Sequence, residues 1–463
     1  MTISNKDISL GKNFMLSFLL AGIFLAMHTT GYYSFELRAV SAIGFIPVIC
    51  SGLILLQTSE IRIAVVTLVL YQTWNMFLDP YLWKEPVESI YRVYNESDFP
   101  AMAIASALSI YAIFIGFFWA LPRTQAKPIF EPNYLTSKRL GKVLIYMIVG
   151  GYIVGFGQGL IAVIGLPLGF LGLIDTMLPA TVGALTLLYF LRGGRNLTII
   201  ILAAIYMIYY FIYYVGGTLF IYSILLIMAP TVVYIIERKK IPYLTVGIVV
   251  LLVLPIYMSR HAYRNEGLYS TGAQRMAIGM NILENEYSNI SIGHWLEMYE
   301  AEQENKNVDN RTEGVSYLGQ IVNKIQSGQC RYLYGETLAW FPTMVLPHFL
   351  IPFRPSQNMG DQWAIYYGLK DKSWRASINF PMLCEFYANF GYLGMIFLSF
   401  FNGILIVWFM RKFNDGEGDT NLLLLIFIVS KIIVVEANVT LAYGAILQVI
   451  AVCWLYKRYF KKA

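Results

Sequence analysis

The sequence predicts an all-α, polytopic integral membrane protein with about twelve transmembrane helices, within a range of about 11 to 14. Only 13% of the 463 residues are charged, 57% are hydrophobic, and the mean hydropathy is +0.57. Soluble domains carry about 25% charged residues, so these few charges cannot cover a water-facing surface of this size. The apolar stretches are continuous instead of alternating, which favours helices over a membrane barrel.

Each predicted span is an apolar stretch close to the length of about 20 residues that a helix needs to cross the hydrocarbon core. The first nine spans lie within residues 14–258, and the last three lie within 380–463, which also contains a basic tail. One long polar loop, 259–379, separates the two groups, and we interpret 1–463 as a single membrane domain. The predicted spans are 14–33, 39–57, 61–79, 101–121, 143–164, 177–191, 197–215, 218–236, 241–258, 388–410, 422–437 and 439–456.

Basic residues cluster in every second loop between these spans, beginning with the amino terminus. Cytoplasmic loops of membrane proteins carry an excess of lysine and arginine. The pattern therefore predicts that both termini face the cytoplasm and that the loop 259–379 faces the opposite side of the membrane. The basic residues that define the pattern are Lys6, Lys12, Arg123, Lys127, Lys138, Arg139, Lys142, Arg192, Arg195, Arg238, Lys239, Lys240, Arg411, Lys412, Lys457, Arg458, Lys461 and Lys462.

The loop 259–379 concentrates the side chains that can do chemistry, including three of the four histidines, His261, His294 and His348. Its acidic residues crowd 284–313, which predicts a solvated helix, whereas arginines flank its membrane ends. Arginine presents a planar fork of donors that matches phosphate oxygens. We therefore expect an anionic ligand here, while membrane anchoring or ion pairing remains an alternative for any single arginine. The candidates are Arg260, Arg264, Arg275, Arg354 and Arg375.

A second apolar run, residues 338–355, lies inside this loop. It is too short and too often interrupted by proline to cross the bilayer as a regular helix. Such a segment can dip into the interface, or re-enter the membrane where protein shields its backbone. This placement predicts that His348 and Arg354 lie at the depth of lipid head groups.

Few ionisable or metal-binding side chains occur elsewhere in the apolar part of the chain. Ionisable residues at membrane depth indicate function by default, but Asp175 and Glu385 fall at span boundaries, where the interface also explains them. Cys330 and Cys384 are both predicted on the outer side, and a disulfide between them is left open. No cluster of cysteine and histidine has the spacing of a zinc site, so we expect no metal centre.

Several short motifs follow one another in the second half of the loop and in the next span. They are Tyr334-Gly335-Glu336-Thr337-Leu338, Arg354-Pro355, Ser377-Ile378-Asn379-Phe380, Glu385-Phe386-Tyr387-Ala388-Asn389-Phe390-Gly391-Tyr392-Leu393-Gly394, and Gly403. This region resembles bacterial O-antigen and capsule repeat-unit polymerases of the Wzy type. The remainder of the chain is similar only in its layout, with many spans and a large outer loop before the last few helices.

The resemblance implies a GT-C-like helical fold, as in O-antigen ligases, and a glycosyl transfer without a nucleotide sugar or other cofactor. The donor would be an undecaprenyl-diphosphate-linked oligosaccharide, polymerised at the outer face of the bacterial inner membrane. Membrane lipids, a flippase and a chain-length regulator are the implied partners, and nucleic acid is not. Implied catalytic residues are His348, Arg354 and Glu385, and implied substrate-binding residues are Arg260, Arg264, Arg275, Arg375, Trp340 and Asp361.

Histidine suits a general base near neutral pH, which favours His348, with Glu336, Asp361 and Glu385 as substitutes. Three other functions remain open at this point. A lipid-linked glycosyltransferase of the O-antigen ligase type shares almost every feature above. A polysaccharide transporter or flippase would need a polar lining across many spans, which this chain lacks. A non-catalytic subunit of the assembly machinery is the third alternative.

Overall fold

A computed structural model describes most of the chain. The described residues are 10–28, 33–58, 60–82, 96–124, 128–164, 169–216, 220–238, 240, 242–244, 247, 272–288, 314–345, 359–370, 380–435 and 437–459. Their regular structure is α-helix with a few short 3₁₀ turns, so the predicted all-α class is confirmed for this part of the chain.

Eleven of the twelve predicted spans coincide with helices, and the ninth, 241–258, lies almost entirely outside the described residues. Within the described residues, four helices are long and apolar enough to cross a membrane, which agrees with a membrane protein. They are Phe35–Thr58, Phe99–Arg123, Leu197–Gly216 and Met382–Lys412. The helices are α1 (Leu10–Met27), α2 (Phe35–Thr58), α3 (Ile61–Phe77), α4 (Phe99–Arg123), α5 (Ser137–Ile164), α6 (Gly169–Leu191), α7 (Leu197–Gly216), α8 (Phe220–Arg238), α9 (Gly272–Ser288), α10 (Gly314–Gln326), α11 (Glu336–Ala339), α12 (Met359–Tyr366), α13 (Met382–Lys412), α14 (Asp419–Ile432) and α15 (Val439–Tyr459).

Several helix boundaries differ from the sequence prediction, and α6 and α14 are two examples. Helix α6 begins at Gly169, so Asp175 lies within a helix and not between two spans. Helix α14 ends at Ile432, whereas the apolar run had predicted a span that continues to residue 437. Both differences have one cause, because hydropathy records which residues are apolar and not where the backbone stops being helical.

The chain divides into two compact units. The first comprises Met1–Glu131, Asn307–Asp415 and Ile428–Ala463, and its most extensive helix contact joins α4 to α13. Glycine makes this contact close on both sides: a Cβ atom at Gly116 would collide with the carbonyl oxygen of Phe400, and one at Gly403 with that of Ile113. Small residues that let two backbones approach are typical of helix packing in membranes.

Helix α13 is kinked near its beginning. Phe390 and Gly391 have non-helical backbone angles, and Gly391 has φ +67°, which a residue with a side chain adopts only at a cost. The kink separates a short first segment, Met382–Asn389, from the long apolar segment that ends at Arg411 and Lys412. The first segment supplies most of the candidate site described below.

The second unit comprises Pro132–Lys306 and Gly416–Phe427. In it, α9 packs closely on α7, because Gly216 and Gly279 leave room for the backbones of Arg275 and Ile212, respectively. A helix of the predicted outer loop is thus attached to a helix that coincides with a predicted span. Asp419 is buried at the start of α14 and accepts hydrogen bonds from the Leu135 amide at 2.6 Å and the Arg192 guanidinium at 2.7 Å.

Candidate functional site

The segment 333–337 is bound to the first part of helix α13 by its backbone. The amide of Leu333 donates to the carbonyl oxygen of Ala388 at 2.8 Å, and that of Tyr334 donates to the carbonyl oxygen of Asn389 at 3.2 Å. The kink after Asn389 leaves these carbonyl groups accessible, because a straight helix would use them for its own hydrogen bonds. Two motifs that lie more than fifty residues apart in the sequence therefore meet.

Asn389 connects the two motifs a second time, through its fully buried side chain. Its amide nitrogen donates to the Thr337 hydroxyl at 2.8 Å and to the Glu385 carbonyl oxygen at 2.7 Å. Its amide oxygen accepts from the Gly335 backbone at 2.8 Å. A buried amide with partners on both atoms fixes local geometry, since losing one partner costs far more than the hydrogen bond itself contributes.

Glu385 lies one helical turn before Asn389 and is also fully buried. Its Oε2 atom accepts a hydrogen bond of 2.7 Å from the amide of Val439, the first residue of α15. A carboxylate at this position satisfies an amide that the helix cannot satisfy and interacts favourably with the helix dipole. Its second oxygen is buried and has no hydrogen bond of standard geometry among the described residues, and the Thr337 side chain is the further polar group that interacts with the carboxylate. Glu385 thus links α13 to the beginning of the last helix.

The first half of the apolar run 338–355 packs against α15. The 3₁₀ turn Phe341–Val345 places the buried Met344 beside Gly444, and Gln448 donates to the Met344 carbonyl oxygen at 2.8 Å. The Phe341 ring lies 6.5 Å from the Tyr443 ring, measured between centroids. Protein thus covers part of the first half of the run, and residues 346–358 lie outside the described part of the chain.

A group of exposed aromatic and charged side chains surrounds the docked segment. Arg331 and Glu336 form an ion pair of 2.8 Å, and the guanidinium also donates to the Tyr332 carbonyl oxygen at 3.2 Å. The hydrogen bond with Glu336 raises the pKa of Arg331 above its usual value. The rings of Tyr332 and Tyr334 lie 6.1 Å apart, and the Tyr366 hydroxyl accepts from the Arg331 amide at 3.2 Å.

The structure places three of the predicted site residues with their surroundings. Glu385 is buried as described, and Trp340 is half-buried at the end of α11, in the same unit. Arg275 belongs to the second unit, where it donates to the Tyr213 hydroxyl at 3.3 Å and lies 5.3 Å above that ring. Asp361 lies in α12, and its side chain is not described. His348, Arg354, Arg260, Arg264 and Arg375 lie outside the described residues.

Sequence reasoning did not select Asn389 and Thr337 as site residues. Both stand within the motifs quoted above, and Asn389 is a polar residue at the beginning of an apolar stretch, which is the signal that could have identified it. The disulfide that was left open does not form, because Cys330 and Cys384 are both free thiols. Their sulfur atoms face the carbonyl oxygens of Tyr366 and Gly314 at 3.4 and 3.8 Å, respectively.

Comparison with known proteins gives one match, in the region that contains this site. Residues 312–463 match the model of the family described as O-antigen polysaccharide polymerase Wzy. No curated protein and no solved structure is significantly similar to the chain. The matched region includes Asn389, Glu385 and the segment 333–337 that they hold. The resemblance seen in the sequence is therefore confirmed by the match of the carboxyl-terminal third of the chain to the model of the Wzy O-antigen polysaccharide polymerases.

Proposed function

We propose that this protein polymerises undecaprenyl-diphosphate-linked oligosaccharide repeat units into O-antigen or a related surface polysaccharide. The observation that carries the proposal is the family match over residues 312–463, together with the cluster in which Asn389 and Glu385 join three parts of that region. The polymerase activity is the function that the family match supports, and neither the ligase nor the flippase alternative has better support.

The proposed location is the bacterial inner membrane, with both termini in the cytoplasm. Helix α13 ends at Arg411 and Lys412, which the distribution of basic residues assigns to the cytoplasmic side. The cluster of Glu385 and Asn389 stands at the opposite end of the same helix. It would therefore face the compartment in which flipped, lipid-linked repeat units are presented. A flippase and a chain-length regulator are the partners that we propose.

The chemistry that we propose is a single glycosyl transfer. A hydroxyl group of the acceptor repeat unit attacks the anomeric carbon of the donor, the bond from that carbon to the diphosphate oxygen breaks, and undecaprenyl diphosphate leaves. His348 would accept the proton of the attacking hydroxyl. Arg354 would stabilise the negative charge that develops on the leaving diphosphate. Arg260, Arg264, Arg275, Arg375 and Asp361 remain candidates for binding the substrate, and Trp340 for stacking on a sugar ring.

For Glu385 the surroundings favour a positioning role in this reaction. Its side chain is fully buried, and one carboxylate oxygen is used by the Val439 amide, so it is poorly placed to meet a bulky glycan directly. It holds the beginning of α15 near the docked segment, and α15 in turn packs on the 3₁₀ turn Phe341–Val345. The chain continues from that turn toward His348 and Arg354. Glu385 would thereby help to place the catalytic segment.

Deleting the gene distinguishes the proposed function from its alternatives. We expect lipopolysaccharide capped with one repeat unit, because ligation and flipping continue while polymerisation stops. Loss of every repeat unit at the cell surface, with lipid-linked units intact at the outer leaflet, would instead identify a ligase. Accumulation of lipid-linked units at the inner leaflet would identify a flippase. The measurement is the ladder of glycan lengths on a gel, with the plasmid-borne wild-type gene as the control.

Substitutions in the proline-rich run then test the proposed chemistry in the complemented deletion strain. Arg354→Ala and His348→Ala should each reduce long glycans at normal protein level. One lost charge-assisted contact to the diphosphate costs about 2–4 kcal/mol, or about 30- to 1,000-fold in rate. Arg354→Lys should restore activity only partly, because lysine keeps the charge and loses the planar fork. Arg311→Ala is the matched control, and wild-type ladders from both alanine variants would exclude these two roles.

A further inference from the structure

An exposed aromatic patch lies directly beside the cluster of Glu385 and Asn389. It consists of the rings of Tyr334, Tyr366 and Phe390 and the ion pair of Arg331 with Glu336. The three side chains Tyr334, Phe390 and Tyr366 are 73%, 46% and 42% exposed, respectively. The Phe390 ring lies against Gly335, where an added Cβ atom would be 3.2 Å from its Cζ atom. Each member of the patch therefore lies in or beside the docked segment 333–337.

Tyr334 occupies this patch at a conformational cost. It has φ +45°, and the following Gly335 has φ +89°, so two successive residues are left-handed. A bulky side chain is rare in this region of backbone space, and such strain persists where the surrounding structure imposes it, most often at functional sites. The surrounding hydrogen bonds, from the amides of Tyr334 and Gly335 to Asn389, hold the strained turn in place. The result of this strain is a ring that faces outward.

The polar part of the patch is fixed in advance. The Arg331 guanidinium is held by Glu336 and by the Tyr332 carbonyl oxygen, at 2.8 and 3.2 Å. Both side chains of the ion pair remain exposed, at 61% and 42%, and an exposed ion pair contributes little to stability. The remaining hydrogen-bond donors and acceptors of the ion pair are therefore available to the hydroxyl groups of a ligand. An ordered pair of this kind binds a polar ligand with a small loss of side-chain entropy.

We propose that this aromatic patch binds a sugar ring of the acceptor repeat unit. A sugar presents a face of C–H groups and a rim of hydroxyl groups, which match a tyrosine ring and an Arg–Glu pair, respectively. Tyrosine offers a large, rigid contact of this type at a low entropic cost. The proposal rests on the polymerase function, and it adds the place where the acceptor repeat unit is held. The competing occupant is the lipid head-group region, in which exposed tyrosines serve as anchors.

The test uses the full-length protein in nanodiscs and two probes from a strain that lacks the gene. One probe is the intact lipid-linked repeat unit, and the other is the free oligosaccharide that mild acid releases from it. Tyr334→Asn removes the ring, and asparagine accepts the left-handed backbone, so the variant should melt no lower than the wild type. We expect it to bind the free oligosaccharide about three- to tenfold more weakly and to raise KM for the acceptor at unchanged kcat.

Two variants serve as controls in the same measurements. Tyr334→Phe keeps the ring and should bind within about twofold of the wild type. Tyr146→Asn removes a tyrosine of matched exposure, 74%, from helix α5, and should leave the affinity unchanged.

A further variant tests the polar part of the patch. Glu336→Gln keeps the size of the side chain but removes half of the ion pair, and it should also weaken binding of the free oligosaccharide.

Each alternative gives a different result. If Tyr334→Asn binds the free oligosaccharide as the wild type does, while the wild type polymerises the lipid-linked unit, the sugar-binding role of the patch is overturned and the proposed function stays intact. If Tyr334→Asn inserts less well into vesicles but each folded molecule binds the free oligosaccharide as the wild type does, Tyr334 is a membrane anchor. This result also overturns the proposal that the patch binds a sugar. A wild-type protein that binds the free oligosaccharide through Tyr334 but does not polymerise the lipid-linked unit supports the patch and overturns the proposed function.

Discussion

Replacing Glu385 separates a positioning role from a direct role in proton transfer. Its carboxylate accepts the Val439 amide at 2.7 Å within a fully buried environment. Glu385→Gln keeps the shape of the side chain, and its amide oxygen can still accept that hydrogen bond. Glu385→Ala removes the acceptor and leaves the Val439 amide buried without its partner. The two variants therefore differ in the geometry that they preserve, while both lack the carboxylate.

The magnitudes follow from these contacts. In Glu385→Ala, the unsatisfied buried amide costs about 1–3 kcal/mol, and the lost packing of the methylene and carboxyl groups adds about 1 kcal/mol. This variant should therefore lower the free energy of unfolding by about 2–4 kcal/mol. Glu385→Gln loses only the interaction of a charge with the first turn of α15, which contributes about 0.3–1 kcal/mol. If Glu385 only positions α15, the glutamine variant should keep its polymerisation rate within about fivefold, because a loss of at most about 1 kcal/mol corresponds to about a fivefold effect.

The assay combines thermal unfolding in detergent with the glycan ladder of the complemented deletion strain. We expect a lower Tm and fewer long glycans for Glu385→Ala, and a nearly normal Tm and ladder for Glu385→Gln. The positioning role is refuted if Glu385→Gln accumulates and melts like the wild type but yields only one repeat unit. That outcome would show that the carboxyl group itself takes part in the reaction, as one of the candidates for the general base.

Two further predictions concern how the helices are held together. Gly403→Leu should prevent normal assembly of α4 with α13, because even a Cβ atom at this position would collide with the Ile113 carbonyl oxygen. The measurement is the level of the protein in the membrane, and Gly22→Leu is the control because the space around Gly22 is open. A normal level of the Gly403 variant would contradict the close contact. Asp419→Ala should lower the free energy of unfolding by about 1–3 kcal/mol, because the Leu135 amide loses its acceptor and the guanidinium of Arg192 keeps only Glu237 of these two carboxylates. Thermal unfolding measures this loss, and a Tm equal to that of the wild type would show that Glu237 is sufficient.

The sequence by itself determined the class of the protein and the location of its helices. The scarcity of charge requires lipid as the solvent, and continuous apolar runs require helices because every backbone group must be satisfied within lipid. These properties are local, so they can be read from consecutive residues. The motifs around Tyr334 and Glu385 also indicated the family, which the match over residues 312–463 confirms.

Only the tertiary structure decided which side chains act together. Glu385 was recognisable as an ionisable residue at the entrance to a span, but its partner Val439 lies 54 residues further along the chain. The same holds for Asn389 and Gly335, which are also separated by 54 positions, and for the contact of Gly403 with Ile113 across two helices. No periodicity or composition encodes such pairs, because they arise from the packing of helices that hydropathy treats as independent. The left-handed backbone of Tyr334 has the same origin, since contacts made by Asn389 impose it against the preference of tyrosine itself.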